Sequence, residues 1–254
     1  IFAYRDSIAE EYELLSHCDE EFSKLSAQLS ENLSKVYQLC REITDLREKA
    51  AKEFCGRVEK ELKTLNIKNA EFCAEFDPYT QEDAAHATAD GLDKMRFLFS
   101  ANAGEPLKPL NKVISGGEMS RLMLAIKTKM SDINWISTYL FDEIDAGISG
   151  KTAKVVGEKF ARIAKKTQII AVSHLAQIAA MSDKEFLIEK SEEEGKTYTR
   201  VRALDDGEKS KEIVRLLGGE ENEEFALKHA EELVKQAKAV SYTHLRAHET
   251  ELHL

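Results

Sequence analysis

Two adjacent carboxylates, Asp142 and Glu143, follow directly on the apolar run Tyr139–Phe141. A strand that ends this way sets its carboxylates at the carboxyl edge of a sheet, where parallel sheets bind ligands. Asp142 suits Mg2+, which takes few carboxylates and keeps several waters. Glu143, one residue on, faces another direction and is placed to polarise an attacking water. A solvated acidic pair would look the same in isolation. Upstream, Ile114–Lys127 reads ISGGEMSRLMLAIK. Ser115 with Glu118 at the third position after it forms a capping box and marks a helix start. Gly116 and Gly117 strip side chains from the first turn, leaving a bare helix N-terminus suited to phosphate. An ordinary capped helix after a glycine turn carries the same letters. Downstream, Gln168–Val172 is a second buried strand, ended by Ser173 and His174. An imidazole at that edge reaches either a γ-phosphate or the attacking water, unless it is structural.

Between these pieces lies DAGISGKT, Asp145–Thr152. It lacks only the first glycine of a P-loop, and Asp145 stands in that place. Three carboxylates at its mouth, Asp142, Glu143 and Asp145, oppose a triphosphate unless a metal intervenes. Lys151 and Thr152 therefore read as the start of the next helix, with a P-loop using Lys151 as the alternative.

The elements that must position these residues alternate. Helix Ser115–Met130, strand Ser137–Phe141, helix Lys151–Ala164 and strand Gln168–Val172 imply a mostly parallel sheet with packed helices. Before them, EFCAEFD from Glu71 alternates with period two, and MRFLFSA from Met95 is a second strand-like run. After them, Lys184–Lys190 and Thr197–Leu204 flank SEEEG as a hairpin. A helix ending at Leu217 before Gly218-Gly219 and another over about 221–239 close the lobe. Residues 1–65 differ. They hold no proline and one glycine, Gly56, and their apolar residues step by four and three. The seam runs Tyr4, Ile8, Leu15, Cys18, Phe22, Leu25, Leu29, Val36, Leu39, Ile43, Leu46 and Ala50, with Glu11 and Asn32 as interruptions. A seam that narrow needs a partner helix. No second long heptad run follows, so the partner is expected in an upstream segment or another molecule. A single long helix docked on its own domain is the alternative.

The chain has 254 residues, 43% hydrophobic and 32% charged, enough for one core plus an extended element. Its net charge of -10 argues against a surface coated in basic residues for nucleic acid. Lys151, Lys154, Lys159, Arg162, Lys165 and Lys166 form a modest basic group that reads first as a solvated helix face. Cys18, Cys40, Cys55 and Cys73 show no metal-ligand spacing and read as reduced thiols. No apolar run approaches the ~20 residues of a membrane helix. Residues 241–254, SYTHLRAHETELHL, break the pattern and read as an adapter-like, non-native tail.

Taken together, SGGE, LFDE, DAGIS and SH resemble the signature, Walker B, D-loop and switch histidine of an ABC-type ATPase head, in the expected order. A coiled-coil arm leading into that half narrows the likeness to SMC-like chromosome and repair ATPases. The wording GEPLKPLNKVISGGEMSRLMLAIK, FDEIDAGISGKTAKVVGEKF and AVSHLAQIAAMSD is similar to the RecN family, over roughly residues 1–240 and most densely from Gly104 to Asp183. Ile114 and Ser173 are small departures, the latter where the family often has threonine.

The resemblance implies an α/β fold: the C-terminal lobe of an ABC-type ATPase head with a long N-terminal coiled-coil helix. Residues 1–65 would be the returning arm and 66–240 the lobe. It implies ATP and Mg2+ as cofactors, Asp142 as metal ligand, and Glu143 and His174 as catalytic residues. Ser115, Gly116, Gly117, Glu118, Asp145 and Ser149 would contact nucleotide, the signature reaching ATP held by the opposite protomer. It further implies a homodimer through the heads, DNA ends or single strands as partner, and an N-terminal lobe carrying Walker A. The setting would be the bacterial cytoplasm, near the nucleoid and without a membrane. The whole would be an ATPase of double-strand-break repair, inactive as this piece alone. A non-enzymatic coiled-coil scaffold with vestigial motifs is the competing class.

Overall fold

The computed structural model describes residues 2–112, 116–130, 136–193, 196–219 and 224–251. The expected capping box at Ser115 lies outside the described residues. Helix α1 runs Phe2–Thr64, 63 residues or about 95 Å. Its sequence offers no proline to break it, and its one glycine, Gly56, has open space around it. The heptad seam is uncovered among the described residues: Tyr4, Leu15, Phe22, Leu25, Leu29, Leu39 and Leu46 are all exposed. A second stripe, Cys40, Thr44, Cys55, Val58 and Leu62, is buried. Only the first stripe is legible in the sequence, because the second mixes cysteine, threonine and valine and carries no heptad of large apolar residues.

The chain divides into two compact units, residues 1–55 with 73–98, and 56–72 with 99–254. Strands β1 (Glu71–Phe76), β2 (Met95–Ser100) and the short β3 (Lys108–Pro109) form a sheet in that order. In the first unit, the segment after β1 straps α1. The Tyr79 hydroxyl lies 2.8 Å from Thr44 Oγ1, and its ring meets Tyr37 edge-on at 6.0 Å. Gln81 Nε2 donates to Ser34 Oγ, and Arg47 donates to the Asp90 carbonyl and to Asp93 Oδ1. Gly91, at φ 96, makes the turn that presents this carbonyl, a conformation glycine adopts without strain.

The second unit holds α2 (Gly116–Lys129), β4 (Thr138–Phe141), α3 (Gly150–Ile163), β5 (Gln168–Ala171) and the short α4 (Ala176–Ala179). It continues with the hairpin β6 (Phe186–Glu193) and β7 (Lys196–Ala203), then α5 (Asp206–Leu216) and α6 (Glu224–Glu251). Strands β4 and β5 pair in parallel, Thr138 opposite Gln168 and Phe141 opposite Ala171. Phe141 packs on Phe160 of α3 at 5.0 Å between ring centroids. Leu122, Leu124, Ile144, Val156 and Ile163 complete that core. The other face is bare: Leu140 is 71% exposed, Ile170 and Val172 48% each. Helix α5 starts on a reciprocal cap between Asp205 and Glu208 and ends at Gly218, φ 77, as its glycine pair predicts. Among the described residues no helix is long and apolar enough to cross a membrane.

Within this unit the last turns of α1 are fixed by charge. Glu61, 7% exposed, pairs with Lys129 of α2 at 2.5 Å and with Lys159 of α3. Burial pushes the Glu61 carboxyl up, but the hydrogen bonds and charges of the two lysines outweigh it and hold it below its ordinary value. A carboxyl lowered on folding stabilises above its unfolded pKa and loses that contribution as pH falls through the folded one. Glu61 therefore stabilises the fold fully at neutral pH and less on acidification below the ordinary carboxylate range. Glu61→Ala strands two lysine charges and is expected to cost about 3 kcal/mol in urea unfolding at pH 7, with the deficit shrinking in acid. A deficit that does not change with pH would contradict this assignment.

Candidate functional site

The loop 142–149 links β4 to α3 and gathers the motif residues. It leaves β4 with Asp142 and Glu143 exposed, buries Ile144 and Asp145, and surfaces again at Ala146 and Gly147. The in-out pattern needs a tight backbone. Glu143 sits at φ 54 and Gly147 at φ 71, and Ala146 N donates to the Glu143 carbonyl at 3.1 Å. A left-handed glutamate is strained by about 1–2 kcal/mol. Asp142 Oδ1 accepts the Glu143 amide at 2.9 Å, which helps to hold the kink. Neither Asp142 nor Glu143 has an ion-pair partner among the described residues.

The N-terminus of α2 lies against this loop. A Cβ at Gly116 would fall on the Glu143 carboxylate, and one at Gly117 would stand 2.9 Å from Ala146 Cβ and 3.1 Å from its carbonyl oxygen. Gly117 is thus required by the close approach of the Ala146 backbone, a reason the sequence alone does not disclose, whereas at Gly116 the exposed Glu143 side chain could swing aside. The next turn of α2 fastens the loop backbone. Ser120 Oγ donates to the Asp142 carbonyl and Arg121 Nη1 to the Ala146 carbonyl, each at 2.7 Å. Arg121 is 8% exposed, and burial lowers its pKa against the opposing pull of Glu118. Ser120 and Arg121 were not singled out from sequence. Small and basic residues on an amphipathic helix give no signal of what they hold.

The third element is the end of β5. Asp145 Oδ2 accepts from Ser173 Oγ at 2.6 Å and from the His174 amide at 2.8 Å, and lies 3.1 Å from His174 Nδ1. Of the residues predicted to act, Gly116, Gly117, Asp142, Glu143, Asp145 and His174 therefore meet on one loop. Glu118 opens α2, half-buried, and Ser149 is the exposed N-cap of α3, its hydroxyl making no capping bond. Asp145 is buried beneath Ser173 and His174. Thr152 is buried too, while Lys151 is exposed at the first turn of α3. Lys159 leaves the basic group to pair with Glu61; Lys151, Lys154, Arg162 and Lys165 stay exposed.

For Mg2+ the donors are sparse. No group of three or more metal-ligating side chains occurs among the described residues. The exposed carboxylate of Asp142, without an ion-pair partner among the described residues, fits an ion that draws its other ligands from water and phosphate.

No protein-family profile matches the chain. The DNA repair proteins RecN of Bacillus subtilis and Halalkalibacterium halodurans are 35% and 36% identical to it over 253 and 244 residues, 96% of the chain in each case. That of Streptomyces coelicolor is 37% identical over 208 residues, 79% of the chain. The chain belongs to the RecN family. It spans less than half the length of these relatives, 44%, 43% and 36% respectively. A solved Smc head domain of Pyrococcus furiosus with an extended coiled coil, bound to the C-terminal domain of ScpA, aligns with 74% of the chain and 54% of its own. That alignment has 20% identity and a TM-score of 0.38, too loose a likeness to bear on the site. The α/β class with a long N-terminal helix, expected for the C-terminal lobe of an ABC-type head, agrees with the helix and strand content of this RecN-family chain.

The strain at Glu143 is measurable. Glu143→Gly and Glu143→Ala both remove the carboxylate, but only glycine adopts φ 54 freely. The glycine variant is expected to be the more stable by about 0.5–1 kcal/mol in thermal unfolding. An alanine variant of equal stability would mean the kink relaxes once the carboxylate is gone.

Proposed function

We propose that the chain is the second half of an ATP-hydrolysing head of a DNA double-strand-break repair ATPase. The observation that carries this reading is the convergence of three motif segments on the loop 142–147: the glycine N-terminus of α2, the acidic end of β4, and the Ser173–His174 end of β5. Asp142 would hold Mg2+, which when bound supplies charge neutralisation at the phosphates. Glu143 is the general base for the attacking water, and His174 lies beside that reaction. Ser115, Gly116, Gly117, Glu118 and Ser149 contact nucleotide, the signature residues reaching ATP held by a second head. Asp145, assigned a nucleotide contact by motif, supports His174 from below.

The bare face of the β4–β5 pair supports the need for another lobe. Parallel strands are ordinarily covered on both faces, and Leu140, Ile170 and Val172 are open. An N-terminal lobe with a Walker A loop, in a polypeptide of the relatives' length, would fill that role. Head dimerisation driven by ATP, and DNA ends or single strands as partner, complete the reading. The exposed Lys151, Lys154, Arg162 and Lys165 offer DNA at most a short basic stripe on a chain of net charge -10.

Calorimetry of this chain with Mg-ATP, beside Lys151→Ala, is expected to give no binding in either. Tight binding that Lys151→Ala abolishes would return DAGISGKT to the P-loop reading. In the protein completed with its Walker A half, Glu143→Gln is expected to lower turnover about 10²–10⁴-fold and to trap ATP-bound dimers. Undiminished hydrolysis would remove Glu143 from its role. Binding without turnover in the unsubstituted complete protein would favour the scaffold reading.

A further inference from the structure

Glu143 sits in its left-handed conformation, φ 54, between two peptide planes that are both bonded. A peptide group is planar, so fixing the planes before and after a residue fixes its two soft dihedrals. Three hydrogen bonds do this. Asp142 Oδ1 accepts from the Glu143 amide at 2.9 Å, and the Glu143 carbonyl accepts from the Ala146 amide at 3.1 Å. Both of these bonds lie within the loop and would move with it. The third comes from α2, where Ser120 Oγ donates to the Asp142 carbonyl at 2.7 Å. That carbonyl and the Glu143 amide belong to one peptide plane, which is therefore gripped on both edges. The direction of the serine hydroxyl is itself informative. Thr128, further along the same helix, returns its hydroxyl to the carbonyl four residues back, that of Leu124, at 2.7 Å. That is a common habit of a helical hydroxyl. Ser120 instead directs its proton to another element. The Glu143 carboxylate lies against Gly116, at the start of the same helix.

We propose that Ser120 is a positioning residue for Glu143: its hydroxyl anchors the 142–143 peptide plane to α2 and so aims the carboxylate of the general base. A left-handed glutamate persists only where its surroundings over-determine it. Asp142 is exposed, so water competes for the bond its carboxylate makes to the Glu143 amide. Without Ser120 the plane can turn over. Glu143 then relaxes to a negative φ, and its side chain swings away. A displacement of about 1 Å at a general base is enough to slow the chemical step while ATP binding is kept. In this role Ser120 touches neither nucleotide nor water, and its effect passes through Glu143 alone. The anchor stands on the hydrogen bonds; its consequence for turnover rests on the hydrolytic reading above.

A positive φ brings an amide proton close to its own Hα, so the intraresidue NOE at Glu143 reads the kink directly. In the 15N-labelled chain, with Glu143→Gln to assign the signal, a strong NOE is expected, weakening in Ser120→Ala. Alanine is the best helix former, so α2 itself is kept. A weak NOE in the unsubstituted chain, or an equally strong one in the variant, overturns the proposal. In the completed ATPase, Ser120→Ala is expected to lower kcat about tenfold with KM for ATP within about twofold, and to add no loss to Glu143→Gln. Ser120→Cys, close in size but a weak donor, is expected to follow alanine. Additive losses, or full turnover with cysteine, also overturn it. Unimpaired turnover in Glu143→Gln would instead sink the catalytic role of Glu143, while the NOE still reports the anchor.

Discussion

A kinked loop of a few residues is held from three sides, and the order of the site depends on that grip. Ser120 and Arg121 take its carbonyls at 142 and 146. Ser173 and His174 take its one buried carboxylate. Backbone carbonyls bonded by side chains cannot swing, and a left-handed glutamate persists only where its surroundings over-determine it. Glu143 is thus presented by constraint on its neighbours, since its own carboxylate has no ion-pair partner among the described residues. The same bonds make α2 and the end of β5 neighbours through the loop. A shift of α2 would therefore be felt at the acidic edge, and the reverse.

The sequence disclosed these elements unevenly. Strands β4 and β5, helices α2 and α3, the hairpin and the glycine stop after α5 were legible because each has a strong local cause: alternation, helical period, or a left-handed glycine. The long helix was legible for the same reason. Its packed stripe was not, because Cys40, Thr44 and Cys55 are small and mixed in polarity, and Thr44 meets its partner Tyr79 only through the fold. Glu61 was equally silent. One glutamate in a helix rich in glutamate gains meaning only when Lys129 and Lys159 arrive from elsewhere.

Within the site the motifs brought residues to notice without disclosing what each touches. Gly116 and Gly117 read as a bare anion-binding turn, and the structure adds that the loop at Ala146 would collide with any side chain at Gly117. Asp145 stood out as a member of the acidic cluster, and the structure turns it inward. Both differences arise from contacts between segments distant in sequence, which local pattern does not encode. Ser173 supplies a hydroxyl that donates to this buried carboxylate.

The open face of the β4–β5 pair has a consequence for how tolerance to mutation is judged. Leu140 is largely in water and Ile170 and Val172 about half so, and each contributes less to the stability of this chain than a fully buried residue would. Polar replacements there would pass any screen based on the melting or yield of the isolated piece. They would be scored as neutral, or even as improvements in solubility. If another lobe docks on that face, the same replacements would strike the assembled protein at its core. A fitness map drawn on the fragment and one drawn on the complete polypeptide would then disagree most sharply at these three positions, and the disagreement itself would trace the outline of the missing contact.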